Sequence, residues 1–474
     1  MVLVVLQFTL SVVFLLYYAY VNVVSLALTY WGLRGVSDFV QRRPLRVYQE
    51  VAESPLSTPI SILVPAYNEE LTIVDSIGTL LYSNFANFNI IIINDGSQDK
   101  TVEQLVNAFK MVEIDLTANA HIPTQEVVGT YMSTKDSRIV LIDKVNGGKA
   151  DALNTGINYA RYPLVCCLDA DTLLDEWALA RIVFEFEADP TTVAIGGIVR
   201  VANGSTVQKG RLTNVSTPRG FLPNVQIVEY LRAFLGSRIG WSTARCLLII
   251  SGAFGVFKRE TLLKVGGYDT DTVGEDAELV LRLDKFHRDH KIPYRIAFHP
   301  DPICWTEVPV NAKILSSQRD RWQRGLAQLL WRHKEMMFNP KYGRMGMITL
   351  PFFLIVELLG PVIELAGYAY VVLGFIFGWL WTELVLLITL ISLTTGVVLT
   401  LLVIVIEQRA FARYPSWRDL WYMVSITFFE SFGYRQYLAW VRAKALLLMV
   451  FRKTGWGTMT RKGFSETPVP LAED

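Results

Sequence analysis

The stretch "PLVCCLDAD", residues 163–171, decides the reading of this chain. A continuous apolar run that stops abruptly in two alternate carboxylates reads as a strand covered on both faces, with polar chemistry at its end. Working outward, the same form recurs in "ISILVP" (60–65), "FNIIIIND" (88–95) and "RIVLID" (138–143). Helical patterns follow at about 68–81, 99–110, 149–160 and 174–187, with Asp99 and Asp175 placed where N-caps would be useful. Strand alternating with helix predicts βαβ units and a doubly wound α/β sheet. Ligands of such sheets bind beyond the carboxyl ends of the strands. Here those ends carry Asn68–Glu69, Asn94–Asp95, "DKVNGGK" (143–149) and Asp169-Ala170-Asp171. Residues 112–137 interrupt the rhythm and are expected to form an extension or hairpin.

Of 474 residues, 51% are hydrophobic, and they are unevenly spread. "MVLVVLQFTLSVVFLLYYAYVNVVSLALTYW" (1–31) opens the chain, and a second apolar territory runs from about Met345 to Phe451. Residues 40–340 between them have ordinary globular composition and can bury a sizeable core. The opening segment lacks a basic n-region and a small-residue cleavage site, so it reads as a retained helix rather than a signal peptide. Its roughly 25–30 residues exceed the ~20 needed to cross a bilayer. No Lys or Arg precedes it, whereas Arg34, Arg42, Arg43 and Arg46 follow, which predicts a cytosolic globular region.

Residues about 347–377 and 383–406 read as further spans, joined outside by "GWLWTE" (378–383), with Arg409, Arg413 and Arg418 back on the cytosolic side. Glu357 and Glu364 lie inside the first of these, near Pro361. A polar cavity, a proton pathway and a hydrogen bond between helices are all open readings for them. Residues 419–433 are short for a span, and 434–451 carry Arg435, Arg442 and Lys444; a short or re-entrant element followed by an interfacial helix is expected. Four cysteines (Cys166, Cys167, Cys246, Cys304) lack zinc-like spacing and fit reduced thiols in a cytosolic core. A net charge of +1 argues against nucleic acid as a partner.

Several polar groups suggest chemistry. Asp169 and Asp171 could aim at one divalent cation, Mg²⁺ or Mn²⁺, which prefer oxygen ligands and keep positions for phosphate; solvated loop carboxylates are the plainer reading. Asp95 either closes a turn or accepts from a base N–H. "NGGKADALN" (146–154) puts two glycines before Lys149 at a loop-to-helix junction, where backbone N–H groups and an ammonium can meet phosphate without the spacing of a Walker loop. Asp276 opens an amphipathic helix, either complementing its dipole or acting as a general base for an attacking hydroxyl. "SSQRDRWQRGLAQLLWRHKEMM" (316–337) crowds arginines, glutamines and tryptophan against apolar sequence.

In order, "VPAYNEE" (64–70), "NDGSQD" (94–99), "NGGKADALN", "DADT" (169–172), "SGAFGVFKRE" (251–260), "GEDAEL" (274–279) and "QRDRW" (318–322) resemble the membrane-bound processive family 2 glycosyltransferases. Poly-N-acetylglucosamine synthases come first, then hyaluronan, chitin-oligosaccharide and cellulose synthases. The likeness covers roughly residues 55–340. It implies an α/β fold of GT-A type, with a Rossmann-like, mixed and mostly parallel sheet in a cytosolic domain flanked by transmembrane helices. The expected layout is an N-terminal transmembrane helix (1–33), the GT-A domain (50–315), an interfacial helix with a Q-x-x-R-W motif (316–345), C-terminal transmembrane and interfacial helices (346–452) and a cytosolic tail (453–474).

By position, the resemblance implies that Ala66, Tyr67, Glu69 and Asp95 hold uracil and ribose. Lys149 would approach the nucleotide, Asp169 the donor, and Asp171 the Mg²⁺ or Mn²⁺ at the diphosphate. Asp276 would be the catalytic base, although Gly274 stands where these synthases often carry Thr. Arg321 would neutralise the departing diphosphate, while Gln318 and Trp322 meet the acceptor sugar. Arg332, His333 and Lys334 read instead as contacts to membrane lipid. Trp456, Thr458, Arg461 and Lys462, in "KTGWGTMTRKGF" (453–464), resemble a gating segment. The implied reaction is inverting transfer from a UDP-sugar, UDP-N-acetylglucosamine before UDP-glucose, to a growing β-linked glycan that is secreted across the plasma (inner) membrane. An accessory subunit is an expected kind of partner. The alternatives are transfer of one sugar to a lipid carrier and a non-catalytic nucleotide-sugar-binding membrane protein.

Overall fold

Runs of Ile, Leu and Val build the centre of the sheet because every face they present is covered. In the computed structural model, which describes residues 2–42, 45–208 and 211–450, Ile60–Ala66 (β1) and Phe88–Asp95 (β2) are buried over nearly their whole length. Ile139–Lys144 (β5) and Leu164–Leu168 (β6) are buried likewise. The four strands lie side by side in the order β5-β2-β1-β6, all parallel. These are the strands expected from the apolar runs, with ends shifted by up to three residues.

The remaining strands are Met111–Glu113 (β3), Val127–Ser133 (β4), Leu173–Leu174 (β7), Thr192–Val201 (β8), Phe254–Lys258 (β11) and Arg295–Thr306 (β12), with Thr206–Gln208 (β9) and Arg211–Asn214 (β10) pairing separately. The full sheet runs β3-β4-β5-β2-β1-β6-β11-β8-β12-β7. Only β4, β11 and β7 run against the common direction, so the sheet is mixed and mostly parallel. The strands β8, β11 and β12 were absent from the sequence reading. "TVAIGGIVRV" is buried throughout despite its arginine and glycines, since Gly196 and Gly197 leave room for Ile250 and Ile303.

Each expected helix begins at or after its predicted start: Ile73–Leu81, Thr101–Phe109, Lys149–Tyr159 and Ala178–Ala188. Polar turns occupy the difference. Asn68 adopts a left-handed φ of 56° and its side chain accepts from the Gln98 N–H at 2.8 Å. Asp99 accepts from the Thr101 N–H at 3.0 Å and Asp175 from the Trp177 N–H at 3.2 Å, but the cap positions themselves fall on Lys100 and Trp177, so the two acidic residues close the turns just before the helices rather than cap them. The interrupting segment is a hairpin-like edge, β3 on β4 and β4 on β5, plus an extended strap. Within that strap the Asn119 N–H donates to Asn158 O at 2.7 Å, and Ile122 exchanges hydrogen bonds with the Asn158 amide.

The chain partitions into two compact units. One holds this sheet, from Phe39–Pro218 and Arg245–Val308. The other gathers, among the described residues, those up to Asp38, Arg219–Ala244 and 309–450. The expected 50–315 block is therefore interrupted by 219–244. The first helix, Val2–Arg42, passes the expected end at 33. Gln7–Gln41 and Thr382–Ala410 are long and apolar enough to cross a membrane. Met345–Leu358 and Gly360–Ile376, bent by 46°, add a third span if taken as one. The bend falls at Leu359 and Pro361, after a π-helical turn. Trp417–Phe429 and Tyr434–Val450, with 13 and 17 residues, fall short of the ~20 needed for an untilted crossing. Of the two carboxylates, Glu357 makes a contact between helices, whereas Glu364 bonds one turn on within its own helix. Glu357 pairs with Arg442 at 3.0 Å and Glu364 accepts from Tyr368.

The helix Lys149–Tyr159 lies close on the sheet at Gly156, where an added Cβ would sit 2.9 Å from both Leu63 Cδ1 and Ile93 Cδ1. Gly156→Val is expected to overpack this layer at a cost of about 1–3 kcal/mol. A lowered unfolding midpoint of the detergent-solubilised protein, followed by intrinsic fluorescence, is the measurement that checks it.

Candidate active site

Parallel pairing brings the polar ends of β1, β2, β5 and β6 to one edge. Ala66 lies opposite Asn94, Asn94 opposite Asp143, and Asp95 opposite Lys144. Beyond β1 the loop is laced to the loop beyond β2. The Asn68 N–H donates to Ser97 Oγ at 2.9 Å and the Glu69 N–H to Thr101 Oγ1 at 2.9 Å. Ala66 is buried, whereas Tyr67 is 48% exposed and presents an open ring. Glu69 accepts from Thr72 Oγ1 at 2.8 Å.

Asp95 is buried and turned toward "NGGK". Its Oδ1 accepts from Lys144 Nζ at 2.8 Å and from the Gly147 N–H at 2.9 Å, and its Oδ2 from the Gly148 N–H at 2.8 Å. Two of the carboxylate's three hydrogen bonds are thus spent on the loop before Lys149, a task the sequence did not disclose. Gly148 takes a φ of 88°, the left-handed region where a Cβ is strained.

Lys149 gathers the next cluster. Its ammonium pairs with Asp169 and lies 3.8 Å from Glu275 Oε1. Burial works against its charge, but the Asp169 and Glu275 carboxylates outweigh that and hold its pKa above the ordinary lysine value. The Glu275 carboxyl is pushed up, first by burial and further by the Asp276 and Asp169 charges, with Lys149 opposing. Asp276, in the first turn of the helix Glu275–Asp289, accepts the Gly252 N–H at 2.9 Å through Oδ2. "SGAFG" therefore holds the expected base. The segment before "GED" is fixed in turn by Asn154, which accepts from the Tyr268 N–H at 2.6 Å and donates to its carbonyl at 2.8 Å.

Among the described residues no group of three or more His, Cys, Asp or Glu forms a metal site on its own. Burial pushes the Cys167 thiol up to about 12, with Tyr268 and Lys149 opposing, so it stays protonated at neutral pH. What remains at this strand end is an oxygen set, Asp169 and Asp171. Mg²⁺ and Mn²⁺ accept such a set when phosphate oxygens supply other positions, so the residues fit a cation delivered with a nucleotide diphosphate.

The Q-x-x-R-W residues lie on the helix Ala312–Arg332 of the other unit. There the three arginines part company. Arg319 pairs with Glu229 at 2.8 Å and lies 4.4 Å over the Trp322 ring, while Tyr434 donates to the same Glu229 oxygen at 2.9 Å. Arg324 pairs with Asp320. Arg321 has no ion-pair partner among the described residues. Trp322 is 44% exposed, and Gln318 Oε1 is buried without a partner among the described residues. Trp456, Thr458, Arg461 and Lys462 lie outside the described residues. Lys144, Gly252, Glu275 and Glu229 were missed from sequence. The first three lie inside the quoted stretches "DKVNGGK", "SGAFGVFKRE" and "GEDAEL", without being singled out there; Glu229 carries no local signal at all.

A mixed, mostly parallel sheet with acidic and lysine-bearing loops at its carboxyl edge has its polar groups where α/β sheets of this kind bind ligands. The model of Glycosyl transferase family 2 matches residues 61–242, and that of Glycosyl transferase family group 2 matches residues 164–429. The latter spans more than half of the chain, and the chain belongs to that family. It is 30% identical over 305 residues to a poly-beta-1,6-N-acetyl-D-glucosamine synthase of Staphylococcus epidermidis, covering 64% of this chain and 63% of the relative. The corresponding synthase of Staphylococcus aureus strain COL is 31% identical over 301 residues, covering 63% of this chain and 62% of the relative. The alignment thus spans under two thirds of these relatives. Among solved structures, the mannosyltransferase PcManGT of Pyrobaculum calidifontis, in complex with GDP-Man and Mn²⁺, is 18% identical with a TM-score of 0.48, covering 91% of this chain and 99% of that one.

A Cβ on Gly252 would lie 3.0 Å from Lys149 Nζ and 3.4 Å from Asp276 Oδ2. Gly252→Val is accordingly expected to displace both groups and lower donor turnover by about 10²-fold, the scale of an ångström's misplacement at a reacting centre. Initial rates checked beside the unfolding midpoint separate this from a loss of fold.

Proposed function

We propose that the chain is an inverting, processive polysaccharide synthase that draws on a UDP-sugar and passes its product into the membrane. The observation that carries this reading is the convergence of Lys149, Asp169, Glu275 and Asp276 at the carboxyl edge of the sheet, with Asp276 aimed by the Gly252 N–H. UDP-N-acetylglucosamine is the proposed donor, on the strength of the Staphylococcus relatives; UDP-glucose is second.

Asp276 takes the proton of an acceptor hydroxyl as that oxygen forms its bond to the anomeric carbon. The anomeric C–O bond breaks with its electron pair leaving on UDP, and a single displacement turns an α-linked donor into a β-linkage. Tyr67, Glu69 and Asp95 hold the nucleoside, and Lys149 keeps a positive charge beside Asp169. Asp171, with Asp169, would hold Mg²⁺ or Mn²⁺, which supplies charge neutralisation at the diphosphate. Arg321 suits the departing diphosphate because the neighbouring arginines are already paired. Gln318 and Trp322 meet the acceptor, and the tail with Trp456, Thr458, Arg461 and Lys462 gates the site. The proposed location is the plasma membrane, with several crossings and the GT-A domain cytosolic, a reading supported by the helices long and apolar enough to span a bilayer. Lipid, the growing glycan and an accessory subunit are the proposed partners.

The test is a radiolabelled UDP-sugar panel on protein in lipid nanodiscs, with Mg²⁺ or Mn²⁺. Long glycosidase-sensitive product from UDP-N-acetylglucosamine is expected, along with loss of product on chelation by EDTA. Asp276→Asn should lower the rate by about 10²–10⁴-fold. A product that stops at one sugar on lipid, or no transfer from any donor, overturns the proposal. In the same assay Arg321→Ala is expected to reduce turnover by about 10²–10³-fold, whereas Arg324→Ala leaves most of it.

A further inference from the structure

Lys144 is a fully buried lysine that no part of the mechanism above uses. Its side chain is 0% exposed, and its ammonium lies 2.8 Å from Asp95 Oδ1 and 2.6 Å from Asp151 Oδ1. It also donates to its neighbour's carbonyl, Val145 O, at 2.5 Å. All three ammonium protons are therefore committed. One buried cation between two nearly buried carboxylates would leave a negative charge in excess, and removing a partner from such a set is costly. Backbone N–H groups meet that excess. Gly147 and Gly148 donate to Asp95, and the Gln125 N–H donates to Asp151 at 3.0 Å. Asp151 also stands in the first turn of the helix Lys149–Tyr159, whose dipole favours an anion there.

The contacts form one connected chain. The strap of residues 114–126 grips Asp151 through Gln125, Asp151 grips Lys144, Lys144 grips Asp95, and Asp95 holds the two glycine amides before Lys149. The loop also rests directly on this group, since a Cβ on Gly147 would fall 2.6 Å from Asp151 Cγ. We propose that Lys144 is a positioning residue for the donor, setting the Asn146–Lys149 loop through Asp95 and Asp151, with the strap 114–126 as the outer clasp of the same network. This rests on the reading that the loop meets the nucleotide. Lys144 itself has no exposed surface and touches no substrate.

The experiment compares wild type with Lys144→Met, Lys144→Arg and Asp151→Asn in nanodiscs. UDP affinity by titration calorimetry, donor KM and kcat, the unfolding midpoint, and hydrogen–deuterium exchange of the Gly147 and Gly148 amides are read on each. Lys144→Met is expected to weaken UDP binding and raise donor KM by about tenfold or more, with kcat at saturating donor falling by less, as displacement of a binding loop requires. Exchange at Gly147 and Gly148 should quicken. Lys144→Arg, which keeps the charge, should recover part of the affinity, a rescue that loss of stability alone does not produce. Asp151→Asn should give an intermediate effect and serves if Lys144→Met does not fold. UDP affinity, KM and amide exchange all unchanged in a folded variant overturn the proposal. Failure of wild type to bind UDP overturns the nucleotide reading instead, and the exchange of the two amides then decides the role of Lys144 on its own.

Discussion

The buried ion pair between Asp95 and Lys144 is the interaction on which the carboxyl edge of the sheet depends. Parallel register sets the two residues opposite one another at the ends of β2 and β5. Neither charge could stay in that environment alone, because desolvation of a single ion costs several kcal/mol. Together, and with Asp151 and the glycine amides, they form a satisfied network that converts the end of a strand into a fixed loop. Lys149 then leaves that loop with its ammonium already facing Asp169 and Glu275. Geometry at the site is thus inherited from a polar cluster beneath it, not from the exposed groups alone.

A second constraint would apply to the helical unit in a bilayer, which leaves no water to satisfy backbone groups. The bend between Met345–Leu358 and Gly360–Ile376 frees carbonyls that would be orphaned in lipid. Gln323 Nε2 donates to Leu358 O at 2.9 Å and to Glu357 O at 3.3 Å, and Arg442 braces Gln323 Oε1 at 2.7 Å. The same helix therefore supplies structural glue at Gln323 and, through Arg319 with Glu229, a fixed seat for the Trp322 ring. Arg321, between the paired Arg319 and Arg324, has no ion-pair partner among the described residues.

How much of this was legible beforehand follows from the range of the forces. The central strands and their helices were readable, because continuous apolar runs and helical periodicity are local properties. Strands β8, β11 and β12 were not, since "TVAIGGIVRV" and "FGVFK" are short or interrupted and become strands only by pairing with β6 and one another. Among the site residues, Asp276 and Lys149 could be placed on motif order. The helix that follows Gly274 did begin where the acidic residues suggested. Asp95 was placed correctly at the strand end, but its inward commitment to Gly147 and Gly148 was invisible, as was Glu229, which lies 90 residues from its partner Arg319.

By itself, then, the sequence determined which residues end up at the carboxyl edge, since strand direction and length follow from apolar pattern and turn chemistry. It also determined that apolar helices flank this domain, because hydropathy is additive along the chain. Tertiary structure alone decided what those polar groups face. A carboxylate's partners are set by distances across the fold, and a buried charge accepts only the arrangement in which it is met. For Asp95, Lys144 and the three arginines of "QRDRWQR", that arrangement exists only once the chain is folded.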